Sequence, residues 1–264
     1  MSVGAELLAA RRVVVKVGSS SVSGDNAVQI PTLVTSLARL HAAGAEVILV
    51  SSGAIATGVP FLNLAERPED LATQQAAAAV GQNILVNRYQ RALSSHEIIA
   101  GQVLLTAHDI DNPTHRGNAR RAIERLLQLG ILPIINENDT VATHEIRFGD
   151  NDRLAALVAR LIGADRLVLL SDVDSLYTAP PTVVGAQRIP HVPYGDELAG
   201  IEIGAAQSGW GTGGAATKVQ AARLAADAGA HVLLTETRLF PAVLDGADHG
   251  TRFDGRPAEA PRDA

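Results

Sequence analysis

Two acid-amide clusters sit one loop apart near the middle of the chain, Asn136-Glu137-Asn138-Asp139 and Asp150-Asn151-Asp152. The first follows the apolar run 131–135, which reads as a buried strand. The second runs into an Ala/Leu-rich helical pattern at 154–162. Short polar side chains just past the carboxyl end of a strand stand where open α/β sheets bind their ligands. One cluster would serve as a helix cap, with Asp150 or Asn151 at the N-cap. Two exceed what one cap needs, and the pair reads as a site. The cations give a second signal. Of 22 Lys and Arg residues, two are lysines, Lys16 and Lys218, and both fall in or beside glycine-rich loops. Where every other cation is Arg, these two mark positions that need a compact point charge rather than a planar fork.

The elements that must position these residues follow from the pattern. Residues 13–17 form a β-branched run that contains Lys16 and ends in Gly18-Ser19-Ser20-Ser21. Residues 46–50 repeat the arrangement, running into Ser51-Ser52-Gly53 and a helix start. Strand, hydroxyl, glycine and helix N-terminus together present backbone N–H groups to an anion. Taken singly, each loop is equally well an ordinary tight turn. Further strands are expected at 98–105, 131–135, 166–170 and 231–234. Helices are expected at 29–43, at 71–93 with Gly81 interrupting, from the 111–114 turn to 129, and at 218–228. The small-residue face of the 71–93 helix suits close packing, within the chain or against another subunit. The fifth strand opens into Ser171-Asp172, and the run Gly211-Thr212-Gly213-Gly214-Ala215-Ala216-Thr217-Lys218 leads into the last helix. That run is not a Walker A loop, but it shares the logic of glycines, a hydroxyl, a lysine and a helix start. Residues 178–209 read as an excursion with small strands or a lid. Strands alternating with helices predict an α/β fold, a mainly parallel sheet covered on both faces. Every polar cluster then falls on one edge of it.

Bulk properties exclude whole classes. A chain of 264 residues that is 47% hydrophobic supports one large α/β domain or two small ones. Net charge −6 argues against a nucleic-acid footprint, and zero cysteines remove disulfides, thiolate catalysis and Cys-based metal sites. No apolar run approaches the roughly 20 residues that span a bilayer. The order of charges at the start is wrong for a signal peptide. The expectation is a soluble cytoplasmic protein.

Five blocks in order now resemble the glutamate 5-kinase branch of the amino-acid kinase family. They are Val15-Lys16-Val17-Gly18-Ser19-Ser20, Ser51-Ser52-Gly53-Ala54-Ile55, Asn136 through Val141, Gly149-Asp150-Asn151-Asp152, and Gly211-Thr212-Gly213-Gly214 through Thr217-Lys218. The resemblance spans residues 13 to about 253. It implies an αβα sandwich over 1–254, with the N-terminal part binding glutamate and about 160–254 binding nucleotide. The implied reaction is ATP-dependent phosphorylation of the L-glutamate γ-carboxylate, the first step of proline synthesis, with Mg²⁺ accompanying ATP and no dedicated protein metal site. By the family pattern Ser52, Gly53, Asn136, Asp139 and Asn151 match glutamate-binding positions. Gly18, Ser171, Asp172, Thr212, Gly213, Gly214, Ala215, Ala216 and Thr217 match nucleotide positions, together with Lys16 and Lys218. Lys16, Lys218 and Asp152, with Asp150 close by, match the catalytic set. Proline as feedback inhibitor and a dimer or tetramer are family habits. Many relatives carry a C-terminal PUA domain; the expectation here is a short form without one, with 255–264 a disordered tail. Ala215-Ala216 replaces a larger residue and a serine common in relatives. Other acceptors of the superfamily (aspartate, N-acetylglutamate, a nucleoside monophosphate) stand as alternatives, as do a non-catalytic sensor and a purely structural oligomer.

Overall fold

The computed structural model describes residues 1–63, 68–142, 151–180, 182–198 and 214–257. Its strands are β1 Arg12–Val17, β2 Glu46–Val50, β3 Ala100–Leu105, β4 Leu132–Glu137, β5 Arg166–Ser171, β6 Leu176–Tyr177, β7 Arg188–Ile189, β8 His191–Val192, β9 His231–Glu236 and β10 Thr251–Phe253. Its helices are α1 Val3–Leu8, α2 Ser19–Val22, α3 Ile30–Ala42, α4 Ala54–Gly58, α5 Leu71–Ser94, α6 Ala107–Asp111, α7 Pro113–Gln128, α8 Asn151–Ile162, α9 Ala215–Asp227 and α10 Phe240–Leu244. Eight strands form one sheet in the order β3-β4-β2-β1-β5-β9-β10-β8, parallel except where β10 runs against β9. β6 and β7 form a separate antiparallel ribbon.

The sheet is buried on both faces, so its strands carry near-continuous apolar runs. In β1, Val13, Val15 and Val17 enter the core under α1, α3, α5 and α10, while Val14 enters the core under α7, α8 and α9. The period of two then decides where functional side chains go. Lys16 shares the face of Val14 and points toward α8. Ser51 continues the Leu49 face and Asn136 the Ile134 face, and both meet α5.

Several sequence expectations need correction. Gly81 does not interrupt α5; the helix runs through it. The glycine is there because α4 crosses at backbone contact: a Cβ on Gly81 would fall 1.8 Å from the Ala54 carbonyl oxygen, and one on Gly58 1.9 Å from that of Ala77. The small-residue face of α5 thus packs inside the chain. β3 begins only at Ala100, because Glu97 turns to positive φ and the Ile98 N–H still bonds back to the end of α5. The turn before α7 is preceded by an unforeseen short helix, α6, fixed by a Thr106–Asp109 capping box. β4 extends to Glu137, α8 already contains Asn151 and Asp152, and α9 begins at Ala215. A 3₁₀ turn, Val59–Leu62, follows α4. β10 follows β9 as an unpredicted antiparallel strand between β9 and β8. At the chain's end, the N–H groups of Gly255 and Arg256 bond to His231 and Ala226.

Candidate active site

Four parallel strands end in polar residues on one edge: Lys16 near the end of β1, Ser51 just past β2, Asn136 in β4 and Ser171 closing β5. Helices α8 and α9 start at the same edge and bring in Asn151, Asp152 and Lys218. Two clusters result.

The first is ionic. The Asp152 carboxylate, in the first turn of α8, takes the Lys16 ammonium on Oδ1 and the Lys218 ammonium on Oδ2, the latter at 3.2 Å. All three are buried, with 1%, 4% and 7% exposure for Asp152, Lys16 and Lys218. Burial pushes the Asp152 carboxyl up, but the charges and hydrogen bonds of the two lysines outweigh it and hold it below its usual range. Among the described residues one carboxylate thus holds two ammonium groups in a low-dielectric place, where charges act strongly on one another. Gly18 adjoins this cluster: a Cβ on it would stand 3.8 Å from Lys16 Nζ.

The second cluster is an amide network. Asn151 Nδ2 donates to the Ser51 carbonyl at 2.6 Å and to Asn136 Oδ1 at 2.9 Å. Asn136 Nδ2 donates to Gln82 Oε1 at 2.7 Å. The Ser51 hydroxyl meets the fully buried Tyr89 hydroxyl at 2.9 Å, and burial pushes that phenol's pKa far up. The network borders a cleft of about 280 Å³ lined by α4, α5, β3 and the residues after β4, among them Ala54, Ala78, Gln82, Asn83 and Asp139. Gly53 adopts φ +92 at the head of α4, where a side chain would press on Ser19.

Toward β5, Ser171 Oγ donates to Asp172, which is exposed, and Thr237 Oγ1 donates to Ser21 Oγ at 2.8 Å and to the Ser171 carbonyl. Gly214 caps α9, and its carbonyl accepts from Thr217 Oγ1. Ala215 and Ala216 form the first turn. Ser52 is half-buried beside Gly53. Asp150, Thr212 and Gly213 lie outside the described residues.

The structure therefore joins Lys16, Lys218 and Asp152 in one contact set and Asn136 and Asn151 in another, with Asp139 in the adjoining cleft. Sequence reasoning missed Gln82, Tyr89 and Thr237, and read Ser21 only as part of the loop after β1. The first two sit inside a long mixed helix, and only their stagger toward the Ser51 and Asn136 face could have marked them.

The profile of the amino acid kinase family matches residues 11–235. Among curated proteins, the glutamate 5-kinase of Clavibacter michiganensis subsp. michiganensis is 67% identical over 252 residues, covering 96% of this chain and 97% of that protein. The chain belongs to the glutamate 5-kinase branch of the amino acid kinase family. The glutamate 5-kinase of Leifsonia xyli subsp. xyli is likewise 67% identical, over 94% of this chain and 92% of that protein. That of Salinispora arenicola is 54% identical, over 94% and 69%. Among solved structures, carbamate kinase from Giardia lamblia bound to AMP-PNP superposes with a TM-score of 0.65 at 17% identity, covering 94% of this chain and all of that one. An isopentenyl phosphate kinase gives 0.61 at 18%, over 92% and 99%. These two establish the fold: the three-layer αβα arrangement is that of this family.

Proposed function

We propose that this family member transfers the γ-phosphoryl group of ATP to the γ-carboxylate of L-glutamate, giving L-glutamyl 5-phosphate, the committing step toward proline. The observation that carries the reading is the buried Lys16–Asp152–Lys218 set directly beside the Asn136–Asn151 network and its cleft. A carboxylate is already ionised at neutral pH and needs no general base. The obstacle is bringing it to an anionic phosphate, so catalysis is positioning and charge neutralisation. The carboxylate oxygen attacks phosphorus, the bond to the ADP oxygen breaks, and the charge passes to ADP. Lys16 and Lys218 stand on either side of Asp152, which fixes their ammonium groups against the transferring phosphoryl. Asp139 supplies the counter-charge for the substrate ammonium. Ser171, Asp172 and residues 212–218 serve the nucleotide, with Thr212, Gly213 and Asp150 assigned from the family pattern.

Mg²⁺ fits as a companion of the nucleotide. Asp152 is taken by the lysines, and such a site usually needs one or two carboxylates beside phosphate oxygens. Asp172 is the exposed carboxylate at the end of β5 that would meet the ion or its water shell. When bound, Mg²⁺ neutralises phosphate charge. No helix among the described residues is long and apolar enough to cross a membrane, in keeping with work in the cytoplasm. Proline competing in the same cleft and a homo-oligomeric assembly complete the reading.

The test is ADP release with Mg-ATP, comparing L-glutamate with L-aspartate, N-acetyl-L-glutamate and UMP, with the acyl phosphate trapped by hydroxylamine, with and without proline. Turnover confined to L-glutamate is expected. Preference for another acceptor would overturn the assignment of Asn136, Asp139 and Asn151.

A further inference from the structure

The amide network leaves one nitrogen with no partner among the described residues, and its polarity identifies which. The Ser51 carbonyl can only accept, so the Asn151 atom 2.6 Å from it is Nδ2. That nitrogen also meets Asn136, whose facing atom must be Oδ1. The backbone N–H of Glu137, which can only donate, reaches the same oxygen at 2.9 Å. Two backbone groups thus fix the orientation of Asn136. Its Nδ2 turns to Gln82, whose Oε1 accepts, and Gln82 cannot flip without breaking that bond. What remains is Gln82 Nε2, shut from solvent and without a partner among the described residues. Buried amides in native proteins are paired, and a leftover one asks what partner is missing. Gln82 is 8% exposed, and its side chain lines the cleft that also holds Asp139.

The missing partner must be an acceptor, which excludes an ammonium group and suits a carboxylate. Its place along the network selects which carboxylate. Asn151 adjoins Asp152 in the chain and so lies next to the phosphoryl-transfer lysines. Asn136 is one hydrogen bond further from them and Gln82 two. With the reacting carboxylate at the lysines, the opposite end of the acceptor falls toward Gln82, and the Asp139 carboxylate in the same cleft complements the ammonium on that end. We infer that Gln82 is a specificity-determining residue whose Nε2 donates to the α-carboxylate of the amino-acid acceptor. The inference rests on the reading that the acceptor is L-glutamate, and it adds the side chain that recognises the non-reacting end.

Steady-state kinetics of Gln82→Glu and Gln82→Met, with melting temperatures of the ligand-free proteins, test it. Gln82→Glu keeps the oxygen that Asn136 needs, removes the leftover donor and puts a carboxylate in its place. The glutamate KM should rise by about thirtyfold or more, because a carboxylate then faces the substrate's own, with kcat within about threefold and the ATP KM unchanged. Gln82→Met should raise the glutamate KM by about tenfold with kcat within about threefold and the ATP KM unchanged, while the ligand-free protein melts lower than wild type, since Asn136 Nδ2 loses its acceptor. A wild-type glutamate KM in either variant overturns the inference, as does a joint rise of both KM values. A fall in kcat matching the rise in KM would put Gln82 on the reacting carboxylate and overturn it too. If Gln82→Glu fails to fold, Gln82→Met decides by the same split. Wild-type protein that releases no ADP with L-glutamate overturns the functional reading, and this inference with it.

Discussion

Strand β1 and helix α8 meet at both of their ends through a buried cation, and the two ends are built to opposite specifications. At the start of β1, Arg12 pairs with Glu46, Nε to Oε2 at 2.6 Å, and another guanidinium nitrogen donates to the carbonyl of Ile162, the last residue of α8. Its own N–H bonds Asp165. Charge is balanced, and the cation satisfies a helix C-terminus that would otherwise leave a carbonyl bare. At the other end, Lys16 meets Asp152 in the first turn of α8, and Lys218 joins on the same carboxylate. There, among the described residues, one carboxylate holds two ammonium groups. A planar fork serves where bonds must be saturated, and two point charges where something anionic has yet to arrive. The comparison separates a structural cation from the two proposed above to work on the substrate.

Breaking the lysine end should have the largest effect. Asp152→Asn takes away the carboxylate that two buried ammonium groups share, so urea denaturation should show a loss of about 3–5 kcal/mol, with turnover largely gone. Lys16→Ala and Lys218→Ala should each lower kcat by about 10²–10³ with a much smaller change in glutamate KM, read by ADP release. Near-wild-type turnover in either would remove the distinction between the two ends. Arg12→Gln should destabilise by about 1–3 kcal/mol in urea yet keep kcat within about twofold, since it loses bonds and no substrate contact. The smallest effect sharpens the same point through acid. The folded pKa of Asp152 lies below its ordinary 3.8. Its contribution is therefore fully present above that value and is lost as pH falls from there toward the lowered one. The acid limb of the stability curve should flatten in Asp152→Asn relative to wild type.

The edge was legible in the sequence because buried parallel strands announce themselves as apolar runs, and each run here ends in the residue that matters: Lys16 in β1, Ser51 after β2, Ser171 closing β5. The two lysines stood out by contrast with the arginines. What was illegible depended on third dimensions of packing. Asn151, a cap candidate in sequence, lies with Asp152 inside α8, because the helix must begin early enough for Asp152 to face Lys16. Gly81 looks like a break until α4 is seen lying against it. Gln82 and Tyr89 carry no local signal, since their partners arrive from β4 and β2 some fifty and some forty positions away in the chain. Short β10 pairs antiparallel through three residues, too few to leave a period.

The α4–α5 crossing also bears on redesign. Ala54, which lines the cleft, belongs to a crossing of main chain on main chain at Gly58 and Gly81, with Ala54 and Ala77 as the facing surfaces. That crossing offers no room for a side chain, so a library randomising those four positions would return mostly unfolded clones. Variation directed at Ala78, Ala79, Gln82 and Asn83, which line the cleft along α5, would search acceptor preference on a scaffold that stays intact.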